Sequence, residues 1–152
     1  WKALALADVV KLSREELEFL VASSSDEAEV LQRLWQGATR LLVVTDGARA
    51  LHWLTPQDQG TLDSFAVTAV DSTAAGDAFT GGLLLGLAAR NLTPATLPSF
   101  ASDAAALLET LRFAAACGAF ATTRPGAFAA MPTRADAEGL MQAFTTPHTS
   151  AA

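Results

Sequence analysis

An α/β fold with a mainly parallel sheet is predicted by three features of this 152-residue sequence. Arg40-Leu41-Leu42-Val43-Val44-Thr45 is an uninterrupted apolar run, the pattern of a strand inside a parallel sheet covered on both faces. Residues 64–70, rich in β-branched and aromatic side chains, read as a strand that leads through a turn of small residues into an apolar helix over residues 79–90. Hydrophobic residues make up 51% of the chain and charged ones 17%, which excludes a disordered polypeptide and bounds a single domain able to bury a core.

Each element carries its own signal. Residues 3–12 are an apolar lead-in and a buried strand, Val9-Val10-Lys11-Leu12. Ser13-Arg14-Glu15-Glu16 is a capping box, with Leu17, Leu20 and Val21 on one face of the helix it starts. Ser25 or Asp26 caps a second helix, in which Ala28, Leu31, Leu34 and Trp35 are spaced for burial and which Gly37 ends. After the apolar strand, Asp46-Gly47 is a hairpin-turn dipeptide, and Ala50-Leu51-His52-Trp53-Leu54 returns as a strand. Residues 55–60 form a loop, and residues 61–70 run extended into the central turn. Asn91-Leu92-Thr93-Pro94 and Leu97-Pro98 form a connector. A long helix spans residues 103–120, its second half an alanine-rich, closely packed stretch around Cys117. A last helix covers residues 134–144 with Leu140 and Met141 apolar, and residues 145–152 read as a frayed polar tail.

The turn Asp71-Ser72-Thr73-Ala74-Ala75-Gly76-Asp77 carries the chemistry. The first turn of a helix presents unpaired backbone N–H groups and the positive end of its dipole, which suit an anionic phosphate. Side chains no larger than methyl let that anion reach the backbone. Asp77 then stands as a carboxylate beside a phosphate site, an arrangement suited to handling a proton. The competing reading is a residue that only favours the helix dipole, worth roughly 0.3–1 kcal/mol.

Other function classes are excluded on composition. A net charge of −6 with ten scattered basic residues argues against a nucleic-acid partner. Residues 60–86 and 101–121 are apolar but interrupted by polar or charged groups, so no membrane span is expected. The single cysteine permits no internal disulfide and fits a cytoplasmic protein. His52 has no second ligand at metal-binding spacing and reads as a strand residue. The P-loop pattern G-x-x-x-x-G-K-[ST] and the H-R-D catalytic loop are both absent, which disfavours P-loop nucleotide hydrolases and protein kinases.

The turn resembles the D-[ST]-x-[GA]-A-G-D signature of the ribokinase-like sugar kinases, the PfkB carbohydrate kinase family, and Ala78-Phe79-x-Gly81-Gly82 continues it. Residues 9–20 are similar to a mid-chain segment of bacterial fructokinases, and Val43-Val44-Thr45-x-Gly47-Ala48 to the family's nucleotide-side strand and turn. The resemblance runs from about residue 3 to residue 143 and matches the C-terminal half of a family member. It implies a three-layer α/β/α ribokinase-like sandwich, with residues 1–144 as the ATP-binding and catalytic part. Asp77 would be the general base, and the amides of Ala74, Ala75, Gly76 and Asp77 the anion hole. Lys11, Thr45 and Gly47 would lie along the nucleotide, with Ala115 at the adenine pocket where many members carry asparagine. Asp71, Thr73 and Glu16 would serve the metal, Glu16 with Ser13 near the metal–phosphate water, unless the capping box is their whole role. The loop Thr122-Thr123-Arg124-Pro125-Gly126-Ala127 resembles one that helps hold a monovalent cation.

The implied function is ATP- and Mg²⁺-dependent phosphorylation of a sugar, fructose first, with K⁺ as a further cofactor. Ribose or 2-keto-3-deoxygluconate are other candidate sugars, and a homodimer is left open for a full-length protein. A non-catalytic remnant or partner-binding module is the alternative. The chain opens on Trp1 rather than Met, and it is expected to belong to a longer polypeptide and to aggregate or fold poorly alone.

Overall fold

The computed structural model describes residues 1–24 and 26–144. Its elements run β1 (Val9–Ser13), α1 (Arg14–Ala22), α2 (Glu27–Gln36), β2 (Leu41–Thr45), β3 (Leu51–Leu54), β4 (Gln59–Leu62), α3 (Ala75–Ala89), α4 (Leu97–Ser102), α5 (Ala104–Thr122) and α6 (Arg134–Ala143). Short 3-10 turns lie at Leu4–Leu6 and Phe128–Ala130. These elements group into two compact units, the first Trp1–Ser64 with Asn91–Leu108, the second Phe65–Arg90 with the chain from Glu109 onward.

The first unit holds a four-stranded sheet in the order β1-β2-β3-β4. β1 and β2 are parallel, Val9 facing Leu41 and Ser13 facing Thr45, because the helical pair α1–α2 between them supplies the crossover that parallel strands need. β2–β3 and β3–β4 are antiparallel, because the loops between them are too short for a crossover. The described sheet is therefore mixed, with one parallel and two antiparallel pairings. Leu41, Leu42, Val43 and Val44 are each at most 1% exposed, so β2 is covered on both faces.

One sheet face packs Val10, Leu42 and Val44 against Leu17 of α1 and Val30 and Leu34 of α2, with Leu20, Val21, Leu31 and Trp35 at its margin. Each such aliphatic side chain contributes about 1.5–3 kcal/mol on burial. Ala28 is exposed and Val30 takes the buried position, a correction to the expected stripe. Asp26 caps α2 by accepting from the Glu29 amide, while Ser25 lies outside the described residues. At the end of α2, Gly37 leaves no room for a side chain, since a Cβ there would lie 2.7 Å from the Ala5 carbonyl oxygen.

Three other expectations are corrected here. Residues 64–70 form no strand with the described residues: the Val67 amide donates to the Phe65 carbonyl and the Val70 amide to the Thr122 carbonyl, neither of them a ladder bond. Asp46-Gly47 does not make a two-residue hairpin turn, because the connection takes in residues 46–50, with Gly47 at φ 55. Leu97-Pro98 is not only connector; it opens α4, where proline in the first turn forfeits no hydrogen bond.

In the second unit α3 and α5 approach closely. A Cβ on Gly82 would stand 2.8 Å from Cys117 Sγ and 3.0 Å from Ala114 Cα, so only glycine permits this spacing. Phe65, Ala78, Ala116, Cys117, Ala121 and Ala137 form the core, and Phe65 meets Phe144 edge to face at 5.4 Å. By length and composition α5 does reach the dimensions of a membrane span, against expectation; its buried face, with Ala114, Ala116, Cys117 and Ala121, reads as that of a core helix. Residues 145–152, expected to fray, lie outside the described residues.

Candidate active site

The small-residue turn enters α3 earlier than residue 79: the helix begins at Ala75, which makes Asp77 its third residue. The entry is Ala74 in the left-handed region, φ 62 and ψ 10, with no side-chain cap. A side chain that could cap would compete for the amides of the first helical turn, and alanine leaves them open. The Ala75 amide is nonetheless taken, donating to the Ser72 carbonyl at 3.2 Å. Among the described residues the Gly76 and Asp77 amides meet no acceptor, and both residues are exposed. Thr80 Oγ1 donates to the Gly76 carbonyl at 2.8 Å, which ties the first turn to the second.

Asp71 is engaged on both carboxylate oxygens. Oδ1 accepts from the Thr73 amide at 2.9 Å, and Oδ2 from the Gly126 amide, 55 residues away, also at 2.9 Å. The Thr73 side chain first, then the Gly126 and Thr73 amides, hold its carboxyl down to about 2. The Val70 and Asp71 amides both donate to the Thr122 carbonyl, at 2.7 and 3.1 Å. The turn and the loop after α5 are thus laced together inside the second unit. No periodicity or spacing in the sequence signals that link, although the resemblance of residues 122–127 marks the loop itself; Gly126 sits at φ 94. Ala115 lies half-buried on α5, against the core of the same unit.

The other candidate residues lie in the first unit. Lys11 sits in β1 opposite Val43. The Thr45 hydroxyl donates to the Leu12 carbonyl at 3.4 Å, and Gly47 stands at φ 55 with open space where a Cβ would be. Ser13 and Glu16 form the full capping box: Ser13 Oγ accepts from the Glu16 amide at 3.2 Å, and Glu16 Oε2 from the Ser13 amide at 2.7 Å. His52 lines a cavity of about 230 Å³ with Arg14, Glu27 and Gln59. Among the described residues no three His, Cys, Asp or Glu side chains cluster to hold a metal.

A small-residue turn that opens a helix onto amides without acceptors is an arrangement that suits an anion. Comparison with known proteins makes this specific. The chain belongs to the pfkB family of carbohydrate kinases, whose model matches residues 2–134. That match locates the family stretch from near the start of this chain; it does not by itself assign the C-terminal half of the relatives' fold. Over 136 residues the chain is 40% identical to fructokinase-1 of Zea mays, covering 90% of this chain and 40% of that protein. Fructokinase from Xylella fastidiosa, solved with bound ATP, superposes with a TM-score of 0.92 at 48% identity, over 96% of this chain and 46% of that one. A double mutant of Vibrio cholerae fructokinase, in its fructose-, ADP- and potassium-bound form, gives a TM-score of 0.73 at 38% identity, over 91% and 42%. The chain therefore spans about 40% of the length of the curated relatives it matches, and the ribokinase-like α/β/α architecture is shared with these neighbours.

Proposed function

We propose that residues 1–144 form the nucleotide-binding and catalytic part of an ATP-dependent sugar kinase of the fructokinase type. The observation that carries the reading is the start of α3, where the Asp77 carboxylate stands in a first turn whose Gly76 and Asp77 amides are free. Phosphoryl transfer asks for little more than positioning, a proton acceptor and donors for charge on the transferred group. Asp77 accepts the proton of the attacking hydroxyl as transfer proceeds, and the Gly76 and Asp77 amides, with Ala74, face the phosphoryl oxygens. The Ala75 amide contributes less than its neighbours, being shared with Ser72.

Lys11, Thr45 and Gly47 serve the nucleotide side, and Ala115 presents a small apolar surface to the base. With no carboxylate cluster among the described residues, Mg²⁺ would be carried by nucleotide phosphates and water. By the family resemblance, Asp71, Thr73 and Glu16 are its candidate supports. K⁺ enters the proposal through the potassium-bound fructokinase. Fructose is the first substrate to assay, with ribose and 2-keto-3-deoxygluconate as comparisons. A non-catalytic module that kept the fold is the rival.

The test measures sugar-dependent ADP release from this chain joined to the complementary segment of the Xylella fastidiosa fructokinase. The proposal expects turnover that Asp77→Asn lowers by about 10² to 10⁴, the usual range for a lost general base, while ATP still binds. ATP binding without any sugar-dependent turnover would favour the non-catalytic module.

A further inference from the structure

We infer that the cavity where α1 and α2 meet the β3–β4 hairpin is a binding site for a small zwitterion, an α-amino acid with an apolar side chain. All of its lining residues belong to the first unit, and none is among the candidate kinase residues. Leu17 and Val44, 2% and 1% exposed, form an apolar floor together with Leu54. Hydrogen-bonding side chains come from His52, Gln59 and Thr61. These three share a sheet face with Val44 and Leu54, since Val44 pairs with His52, His52 with Thr61 and Leu54 with Gln59. Two opposite charges complete the wall, Arg14 from α1 and Glu27 from α2.

Arg14 is the first residue of α1, at the positive end of the helix dipole, where a cation is disfavoured. No ion pair offsets that placement. Arg14 and Glu27 line one cavity, yet among the described residues neither takes part in an ion pair. The side chains of His52, Gln59 and Thr61 also have no hydrogen-bond partner among the described residues. A guanidinium and a carboxylate that do not reach each other can be bridged by a ligand carrying both opposite charges. Its carboxylate then meets Arg14, its ammonium meets Glu27, and its side chain lies on the Leu17–Val44–Leu54 floor. A phosphate suits the cavity less, because Glu27 is a like charge on the wall. The volume of about 230 Å³ agrees in size. It holds roughly eight waters at about 30 Å³ each, and falls below the roughly 300–1,000 Å³ of sites for drug-sized ligands.

The experiment uses this chain joined to the complementary segment of the Xylella fastidiosa fructokinase, and reads binding by isothermal titration calorimetry. L-leucine is the probe. Isocaproate, which lacks the amine, and isoamylamine, which lacks the carboxylate, are its half-ligands. Leucine is expected to bind with a Kd of about 1 mM or below, and each half-ligand about tenfold more weakly or worse. Arg14→Gln is expected to weaken leucine and isocaproate by about tenfold or more and to leave isoamylamine unchanged. Glu27→Gln is expected to weaken leucine and isoamylamine and to leave isocaproate unchanged. Glutamine forms helix about as well as arginine or glutamate, so both variants keep α1 and α2.

The wild type alone already decides much. Absence of saturable leucine binding below about 10 mM overturns the site. Leucine binding that neither variant weakens lies elsewhere and overturns it too. Inorganic phosphate bound more tightly than leucine, and through Arg14, would make the cavity a plain anion site instead. Displacement of leucine by ATP would merge the cavity with the nucleotide site and would equally overturn the assignment.

Discussion

Asp71 and Cys117 show how far a single side chain can be read. The Asp71 carboxyl is held at about 2, below its ordinary 3.8, so the native state favours its charged form. Its contribution is fully present above about pH 4 and is lost as pH falls toward 2. Exchange of the Gly126 amide is therefore expected to be flat from pH 4 upward, after correction for intrinsic rates, and to lose protection only below that. Asp136, lowered by the Thr133 hydroxyl and amide that it caps, shifts in the same direction. Cys117 is the reverse case: burial pushes its thiol up to about 11, and it is 6% exposed against Gly82. Iodoacetamide at pH 8 is expected to leave native Cys117 unlabelled and to modify it fully in denaturant; rapid native labelling would contradict its place between α3 and α5. At this scale the capping box was legible because it depends on residues three apart, whereas the claim of Ser72 on the Ala75 amide was not, because it depends on the left-handed turn at Ala74.

The packing of α3 on α5 turns on Gly82. Gly82→Val puts a side chain against Ala114 backbone at 3.0 Å, which cannot move aside cheaply. The expected cost is about 1–3 kcal/mol, read as a fall of about 2–10 °C in Tm. Gly81→Ala, on the open side of the same helix, serves as control, because its Cβ meets nothing within 4 Å, and it is expected to be neutral or slightly stabilising. Equal losses in the two variants would refute close helix approach as the reason for Gly82. Helices were well legible in the sequence, since caps at Ser13 and Asp26 and apolar spacing are local signals. Strands were less so. Residues 64–70 carry strand-like composition, but a strand exists only through a partner, and the Val67 and Val70 amides go to Phe65 and Thr122 instead. The antiparallel course of β3 and β4 comes from short loops that the apolar run of β2 does not announce.

At the scale of the molecule, the family is carried by 40% identity to a plant fructokinase and by close superposition on a bacterial one, across nearly all of this chain. The central turn made that membership legible, because two aspartates, a glycine and small residues must coincide there. What sequence patterning did not give is the grouping into two compact units, a matter of contacts far apart along the chain. Exposed Leu6, Phe19 and Phe128 leave apolar surface on both units. With relatives more than twice as long, full activity is proposed for a polypeptide of the relatives' length. The most direct test of the account is the rate of fructose-dependent ADP formation by such a polypeptide, compared between wild type and Asp77→Asn at saturating ATP. The account predicts turnover in the wild type and a loss of at least about a hundredfold in kcat for Asp77→Asn, with ATP affinity retained. Near-normal kcat in Asp77→Asn would contradict it.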